Sequence, residues 1–251
     1  MRVAVVADIH ANWEALCAVW DDICRQQADT VYCLGDVVGY GADPHKCWEW
    51  VNAHCQLRLR GNHEEGVARP EREAGMNPAA AAAIRWTRNQ LSPTAIEEMG
   101  DWPLVATGAD ARLVHSSPFE PLAFHYISSR WEAENAFLNF NEKACFFGHT
   151  HAASVVEEIV SGALRVMAVP SAKETTVQLH LSLEKDKRYL VNPGSVGQPR
   201  DQDPRAKWLL VQDKPPILEF RAVPYDIALA QMKILDAGLP KILAERLTCG
   251  R

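Results

Sequence analysis

Residues 2–10 read RVAVVADIH, an apolar run that leads directly to Asp8 and His10. A run of this kind is typical of a buried strand. Asp8 and His10 stand two positions apart, and side chains at that spacing point to the same side of an extended chain. Since α/β sheets hold their sites at the carboxyl ends of strands, the stretch predicts the first strand of such a sheet with a polar site at its end.

Four further segments place polar side chains at or after the ends of apolar runs. They are GD at 35–36, GNHE at 61–64, LVHS at 113–116 and GHTH at 148–151. Together with the first stretch they supply two carboxylates, one amide and five imidazoles, from Asp8, Asp36, Asn62, His10, His63, His115, His149 and His151. These groups are sufficient for two neighbouring metal ions and one uncoordinated histidine.

A two-metal hydrolytic centre is the chemistry that this set favours. Such centres hold their cations about 3.5–4 Å apart, and a carboxylate such as Asp36 can bridge them. Mixed carboxylate and imidazole ligation suits Mn, Fe, Zn, Co or Ni better than Ca or Mg. No cysteine occupies a ligand-like position, which disfavours a zinc ribbon or finger. The ordered set therefore predicts hydrolysis of phosphate esters, although each residue alone has an ordinary structural explanation.

The first half of the chain alternates between strand and helix patterns. The predicted order is strand 2–7, helix 12–27, strand 30–34, helix 43–53 and strand 56–60. This βαβαβ order implies a parallel sheet with right-handed crossovers. Asn12 and Asp43 are expected to cap the two helices.

The rest of the chain divides into a helical segment and a mostly β half. Residues 64–102 are the predicted helical insertion beside the site. The second half contains predicted strands at 112–115, 144–147, 153–160, 163–169, 176–181, 188–191, 207–212 and 216–222, turns at Gly162 and Pro215-Pro216, and helices at 130–140, 225–235 and 241–247. We therefore predict an α/β fold in a single domain over residues 1–251, a four-layer αββα sandwich with two mixed β-sheets.

Composition argues against several classes of protein. The formal net charge of −6 disfavours a nucleic-acid-coating role, which would need a basic face. Seven cysteines without a CxxC pair indicate reduced thiols. A strand pattern begins at residue 2, which leaves no room for a signal peptide, and no apolar stretch reaches ~18 residues. We expect a cytoplasmic protein that does not span a membrane, and its oligomeric state stays open.

Read in order as D-x-H, GD, GNHE, a lone His and GHTH, the five segments resemble the motif series of the calcineurin-like metallophosphoesterase superfamily. Residues 192–200, NPGSVGQPR, resemble a segment of its small bacterial phosphodiesterase-like branch. The resemblance covers most of the chain and implies the same αββα sandwich. It also implies a binuclear-metal phosphoesterase that hydrolyses small phosphodiesters or phosphomonoesters by attack of a metal-bound hydroxide.

The resemblance further implies a role for each site residue. The implied ligands are Asp8, His10 and His151 for one metal, Asn62, His115 and His149 for the second, and Asp36 as the bridge. His63 would stay off the metals and act as the general acid for the leaving oxygen. The implied cofactors are two divalent transition metal ions, with Mn first and Fe, Zn, Co or Ni open.

The loop after the bridging carboxylate departs from the relatives that dephosphorylate proteins. Those enzymes carry GDxVDRG, with an Asp that orients the catalytic His and an Arg that grips phosphate, whereas Gly39 and Tyr40 stand at these positions here. The departure predicts that a small diester is cleaved better than a phosphoserine peptide. Tyr40 could stack on a base or sugar, and Arg200 or Arg205 could replace the missing clamp. An ordinary turn tyrosine and a local Arg–Asp network are the alternatives at these positions.

Two other functions stay open from the sequence. A diadenosine tetraphosphatase-type nucleotide hydrolase would use the same metal core. A non-catalytic protein-binding scaffold would be expected to lack metal ligands, whereas every ligand type is present here. Glu64, which directly follows His63, is expected to be a helix-start carboxylate.

Overall fold

The computed structural model describes residues 1–108, 110–159, 162–167, 174–180, 187–213 and 216–251. Its strands are β1 (Arg2–Val6), β2 (Thr30–Cys33), β3 (Cys55–Arg58), β4 (Val105–Gly108), β5 (Ala111–Val114), β6 (Ala144–Phe146), β7 (Ser154–Glu158), β8 (Leu164–Met167), β9 (Thr176–His180), β10 (Arg188–Asn192), β11 (Ala206–Gln212) and β12 (Ile217–Val223). They form two six-stranded sheets, ordered β3-β2-β1-β11-β12-β9 and β4-β5-β6-β10-β7-β8.

Both sheets are mixed, as the sequence predicts. In the first sheet, β1, β2 and β3 are parallel, while β11 pairs antiparallel with β1. In the second, β6 is parallel to both β5 and β10, and β7 pairs antiparallel with β10. The strand β4 is a finding that the sequence analysis missed, because its four residues VATG are too few to show a period. The predicted strand ends at 160, 168–169 and 181, and Pro215 of the predicted turn, lie outside the described residues.

The core between the sheets is formed by alternate residues of the strands. Val3 and Val5 of β1 point into it with Phe146 of β6 and Val191 of β10. The intervening residues of β1 point to the opposite face, where they pack with buried residues of the helices over the first sheet. This period-two division places two sheets face to face with helices outside them, which confirms the four-layer sandwich.

The helices are α1 (Trp13–Arg25), α2 (Pro44–His54), α3 (Asn62–Ala68), α4 (Pro78–Gln90), α5 (Pro93–Asp101), α6 (Arg130–Phe137), α7 (Ile227–Asp236) and α8 (Lys241–Cys249). Asn12 caps α1 as predicted, by accepting a hydrogen bond from the backbone N–H of Ala15 at 3.1 Å. Asp43 occupies the cap position of α2, but its side chain makes no cap hydrogen bond and pairs with Lys46 and Lys233 instead. Within the described ranges, every helix is too short or too polar to cross a membrane.

The predicted helical insertion corresponds to α3, α4 and α5 with a 3₁₀ turn over Pro70–Gly75. We call residues 64–102 the helical segment. Within this segment, Arg88 of α4 joins α4 to α3 by donating hydrogen bonds to the carbonyls of Gly66 and Val67. At the other end of the chain, α8 packs in one apolar cluster with Tyr40 and with α4. The helical segment and α8 therefore both lie next to the loop that follows β2.

Candidate metal centre

The loops that follow β1, β2, β3, β5 and β6 converge at one end of the sandwich. Backbone hydrogen bonds join neighbouring loops: the N–H of Asp8 donates to Gly35 at 3.0 Å, and that of Gly148 donates to His115 at 2.7 Å. The N–H of His10 donates to the carbonyl of Asp36 at 2.9 Å. The converging side chains are buried, except for that of Asn62, which is partly exposed. The structure therefore brings the predicted polar segments together, and the N–H of His149 donates to Asp8, 141 positions away along the chain.

Two groups of potential metal-ligating atoms share one carboxylate. The first group comprises Asp8, His10, Asp36 and His151, and the second comprises Asp36, His115 and His149. Within each group, the potential ligand atoms lie within 4.8 Å of one another. The Oδ2 atom of Asp36 lies 3.6 Å from Nε2 of His10 and 3.3 Å from Nε2 of His115. Asp36 is therefore placed to bridge two cations.

Three histidines use Nδ1 for a contact with a backbone carbonyl and direct Nε2 toward the centre. Nδ1 of His10 lies 3.2 Å from the carbonyl of Val38, and Nδ1 of His151 lies 2.7 Å from that of Gln198. Nδ1 of His115 likewise lies 2.9 Å from a carbonyl oxygen, that of Leu34. Since a carbonyl can only accept, each Nδ1 carries the proton, and the neutral ring leaves Nε2 free to ligate a metal.

The geometry of the first group fits a cation. The Nε2 atoms of His10 and His151 lie 3.1 Å apart, and in the neutral rings both carry lone pairs. Two facing lone pairs repel each other, and a cation that accepts both resolves the repulsion. In the second group, Oδ1 of Asn62 lies 3.2 Å from Nε2 of His115, and Nε2 of His149 is buried without a hydrogen-bond partner among the described residues.

Burial keeps most of these imidazoles neutral. It lowers the pKa of His149 to about 3 and the pKa of His63 to about 4. Burial likewise holds the pKa values of His10 and His151 well below their usual range, together with the charge of His63 for the first and of Arg200 for the second. Neutral imidazole is the form that binds metals.

The pKa values of the two carboxylates of the centre shift in opposite directions. Burial raises the pKa of Asp8 to about 7. Burial would also raise the pKa of Asp36, but the charges of His115 and His63 outweigh it and hold that pKa well below its usual range. The charge of Asp36 in turn outweighs burial at His115 and raises its pKa to about 9. Asp36 is therefore the centre's permanent negative charge, at the position that both groups share.

The backbone at the centre is strained, which corrects one expectation from the sequence. Asp8, His10, Asp36, His149 and His151 all have positive φ, between 50° and 64°. Residues other than glycine rarely adopt this left-handed conformation, and strain of this kind concentrates at functional sites. The extended geometry expected for the Asp8–His10 and His149–His151 pairs is therefore wrong. Their side chains still converge, because tight turns rather than extended strands direct them.

Glu64 anchors the loop that carries the bridging carboxylate. Its Oε2 accepts hydrogen bonds from the N–H groups of Asp36 and Gly61, both at 2.8 Å, and its Oε1 accepts from Val37 and Val38 at 2.8 and 3.2 Å. Glu64 is fully buried in the first turn of α3, so the prediction of a helix-start carboxylate holds. Its contacts with the Asp36 loop could not be predicted, because they join residues 26–28 positions apart that meet only in the folded chain.

His63 is held by packing rather than by a carboxylate. Its ring centroid lies 4.4 Å from that of Tyr40 and 4.6 Å from that of His10. Its Nδ1 has no hydrogen-bond partner among the described residues. A Cβ placed on Gly39 would lie 2.0 Å from this Nδ1, and Gly39 also has a positive φ of 82°. Glycine at position 39 therefore makes the space that the ring occupies.

The three predicted substrate contacts have different surroundings. Tyr40 is buried between the rings of His10 and His63, so a base or sugar cannot stack on a freely exposed ring there. The guanidinium carbon of Arg200 lies 5.9 Å from the ring centroid of Tyr40. Arg205 instead forms an ion pair with Asp203 at 2.7 Å. At Arg205 the geometry favours the local Arg–Asp network over the substrate clamp.

A cleft of about 310 Å³ opens beside the centre. One side is formed by Asn62, His63 and His149. We call the opposite side the cleft wall, formed by Arg72, Met76 and Asn77 of the helical segment and by Leu122, Phe124 and Tyr126 of a loop. The Tyr126 ring lies 4.1 Å from the His149 ring. The helical segment therefore lies beside the site, as the sequence predicts, although no motif singles out the individual residues of the cleft wall.

Comparisons with known proteins agree with this geometry. The family model of calcineurin-like phosphoesterases matches residues 1–153. An uncharacterised protein of Methanocaldococcus jannaschii is 34% identical over 256 residues, which cover 99% of this chain and 98% of the relative. The crystal structure of a metallophosphoesterase from Sphaerobacter thermophilus is 34% identical with a TM-score of 0.85, over 100% of this chain and 99% of that one. A hypothetical protein from Pyrococcus horikoshii OT3, 18% identical with a TM-score of 0.78 over 100% and 98% of the two chains, shares the fold.

Proposed function

Because the chain belongs to the calcineurin-like phosphoesterase family of phosphate-ester hydrolases, we propose that it hydrolyses small phosphate esters with two divalent transition metal ions. The proposed ligands are Asp8, His10 and His151 for one ion, Asn62, His115 and His149 for the other, and Asp36 for both. Manganese is the proposed metal, with Fe, Zn, Co and Ni as the other candidates for this mixed ligand set.

The shared position of Asp36 is the observation that carries this proposal. One buried carboxylate belongs to both groups of potential ligand atoms, which is the arrangement that a two-metal centre requires. Glu64 holds the backbone on both sides of Asp36, so the bridge is fixed before any cation binds. Two cations bound there would supply Lewis-acid activation of the phosphoryl group and a water nucleophile at neutral pH.

The role proposed for His63 is transfer of a proton to the leaving oxygen. The ring lines the cleft and lies outside both groups of potential metal ligands. Burial lowers the pKa of the free side chain to about 4. A phosphate ester bound beside His63 brings negative charge, which opposes this effect and favours the protonated ring. Gly39 and Tyr40 fix the ring's position without competing for its proton.

The size of the cleft supports a small ester as the substrate. A volume of about 310 Å³ is at the lower end of the range for small-molecule sites. Tyr126 and Leu122 of the cleft wall are partly exposed, and they offer an apolar surface to a leaving group next to His63. All seven cysteines are unpaired, which supports the further proposal of a reducing, cytoplasmic location.

Assays of several substrates with protein that is loaded with one known metal test the proposed function. The purified protein is stripped with a chelator, reloaded with Mn²⁺ or another divalent metal, and assayed on bis(p-nitrophenyl) phosphate, p-nitrophenyl phosphate and a phosphoserine peptide. We expect metal-dependent hydrolysis, with a higher kcat/KM for the small esters than for the peptide. Asp36→Asn should abolish it, and His45→Asn should not, since His45 is exposed and pairs with Glu49 on the surface of α2. Metal-independent turnover, or a preference for the peptide, would contradict the proposal.

A further inference from the structure

Arg200 lies close to the centre, and no carboxylate among the described residues pairs with it. Its backbone N–H donates to the carbonyl of His151 at 3.1 Å, so it directly adjoins a proposed ligand loop. Its guanidinium donates to the Gln198 side chain at 2.9 Å and lies over the Tyr40 ring, while Nε is buried without a partner among the described residues. Tyr40 in turn contacts His63. A positive charge is thus held one side chain away from the proposed general acid.

Arg246 of α8 is a second arginine beside the same tyrosine. Leu243 and Leu247, on either side of it along α8, pack in one cluster with Tyr40. The N–H of Gln202 donates to the carbonyl of Gly250 at 2.9 Å, which ties the loop of Arg200 to the end of α8. Nε of Arg246 donates to the main-chain oxygen of Arg251. No Asp or Glu side chain within the described ranges pairs with Arg246.

Three other partly buried arginines show a different arrangement. Arg188, Arg205 and Arg221 each pair with a carboxylate at 2.7 Å or less, in a chain that has 32 acidic residues and 26 basic ones. Arg200 lies over the Tyr40 ring, and Arg246 stands between Leu243 and Leu247, which pack with the same tyrosine. Burial and then the charge of Arg200 lower the pKa of Arg246. Repulsion between two like charges costs free energy, and an anion bound between them offsets that cost.

We propose that Arg200 and Arg246 form an anion-binding site at the mouth of the metal centre, which we call the arginine pair. The proposal rests on the proposed function and narrows it: the substrate is a phosphate ester that carries a second negative charge besides the one held by the metals. The arginine pair binds the oxygens of that charge, and Tyr40 separates it from His63. The second charge has two sources, a separate phosphate group on the substrate or the dianionic form of the phosphoryl group under attack.

Matched substrates distinguish the two sources. Thymidine 5′-(p-nitrophenyl phosphate) is compared with the same compound carrying a 3′-phosphate, and bis(p-nitrophenyl) phosphate is compared with p-nitrophenyl phosphate. For each pair we compare the two substrates by one ratio, the kcat/KM of the substrate with the additional charge divided by the kcat/KM of the substrate without it. Arg246→Ala should lower at least one ratio by about tenfold, the size expected for losing a charge-assisted hydrogen bond. A fall in the first ratio identifies a separate phosphate group, and a fall in the second identifies the dianionic phosphoryl group.

Lys241→Ala is the matched control for the arginine pair. It removes one positive charge from the exposed start of the same helix, where Lys241 pairs with Glu245, and both ratios should stay at their wild-type values. Ratios that are unchanged in Arg246→Ala, or that fall equally in Lys241→Ala, would overturn the proposal.

A binding measurement separates this inference from the proposed function. Titration calorimetry of the Mn²⁺-loaded protein with inorganic phosphate should show about tenfold weaker binding in Arg246→Ala than in wild type, whether or not any ester is hydrolysed. Equal phosphate affinity in the two proteins contradicts the arginine pair. Weaker binding by the variant, in a wild type that hydrolyses none of the esters, keeps the anion site and contradicts only the proposed function.

Discussion

Glu64 and Glu65 are adjacent, equally buried carboxylates that hold two very different regions. Glu64 accepts hydrogen bonds from four backbone N–H groups of the metal loops. Glu65 faces the other way and binds guanidinium groups, those of Arg60, Arg69 and Arg72. Glu64 therefore holds main chain in place, whereas Glu65 holds long side chains. Two of these side chains, Arg69 and Arg72, are more than a third exposed.

This difference separates the chemistry of the site from its selectivity. At the metal loops, the carboxylates and imidazoles are buried and the main chain is bonded across loops, so a small shift disturbs several ligands together. The cleft wall depends on side chains such as Arg72 and Tyr126, which are half exposed. Substitutions in the metal loops should therefore affect metal binding and turnover, while substitutions in the cleft wall should affect substrate affinity.

Outside the proposed metal ligands, the largest effect is expected for His63→Ala. If His63 protonates the leaving oxygen, turnover of esters with poor leaving groups should fall by about 10²–10⁴. Nitrophenyl esters should lose less, because their leaving group needs little protonation. Metal content, measured by elemental analysis, should be unchanged. Equal losses on both classes of ester, or loss of metal, would show that the role of His63 is misassigned.

Gly39→Ala should be the next most damaging change. The added Cβ would overlap Nδ1 of His63, and alanine is strained at the positive φ of this position. Displacement of the ring should lower kcat by about 10², measured on the same esters with the metals retained. Gly75→Ala in the helical segment is the matched control, since a Cβ there would have nothing within 4 Å. Similar kinetics for the two variants would mean that the His63 position is not critical.

Glu64→Gln should weaken metal binding by about 10–100-fold, the cost typical of losing a group that positions metal ligands. An amide NH₂ would replace one of two oxygens that each accept two N–H groups, so the loop of Asp36 would have to move. Glu65→Gln is the paired variant and should keep its metal affinity. Calorimetric titration of each variant with metal compares their metal affinities. Equal losses in both variants would contradict the division between the two regions.

Tyr126→Ala should have the smallest effect of this series. The ring covers His149 at the edge of the cleft and is nearly half exposed. Its removal should raise KM for nitrophenyl esters several-fold, since a contact between two aromatic rings contributes about 1 kcal/mol. The metal content should be unchanged. A change in metal stoichiometry in this variant would place Tyr126 with the metal loops.

The sequence predicts the parts of the site that depend on order along the chain. Apolar runs that end in polar segments gave the strands, and the layers followed from their alternation, so the family and the fold are both confirmed. The left-handed backbone at Asp8 and His149 was not predicted. Local propensity disfavours that conformation for these residues, and only bonds from neighbouring loops maintain it.

Contacts between distant segments were beyond the reach of the sequence. Arg246 lies in an ordinary C-terminal helix, and its position beside Arg200 depends on the packing of α8 against Tyr40. The choice between Arg200 and Arg205 as a substrate contact likewise depended on which of them pairs with Asp203. Motif spacing cannot report such pairings, because they are decided by side-chain packing after the chain has folded.

The proposed centre has two metal sites that share the carboxylate of Asp36. The metal content of the reconstituted protein tests this arrangement. Elemental analysis after chelation, reloading with Mn²⁺ and removal of unbound ions should give two metal ions per chain in wild type. In Asp36→Asn both should be weakened together, because a neutral amide bridges two cations poorly. One or fewer tightly bound ions per chain in wild type, or the loss of only one ion in Asp36→Asn, would contradict a centre in which Asp36 bridges two metal ions.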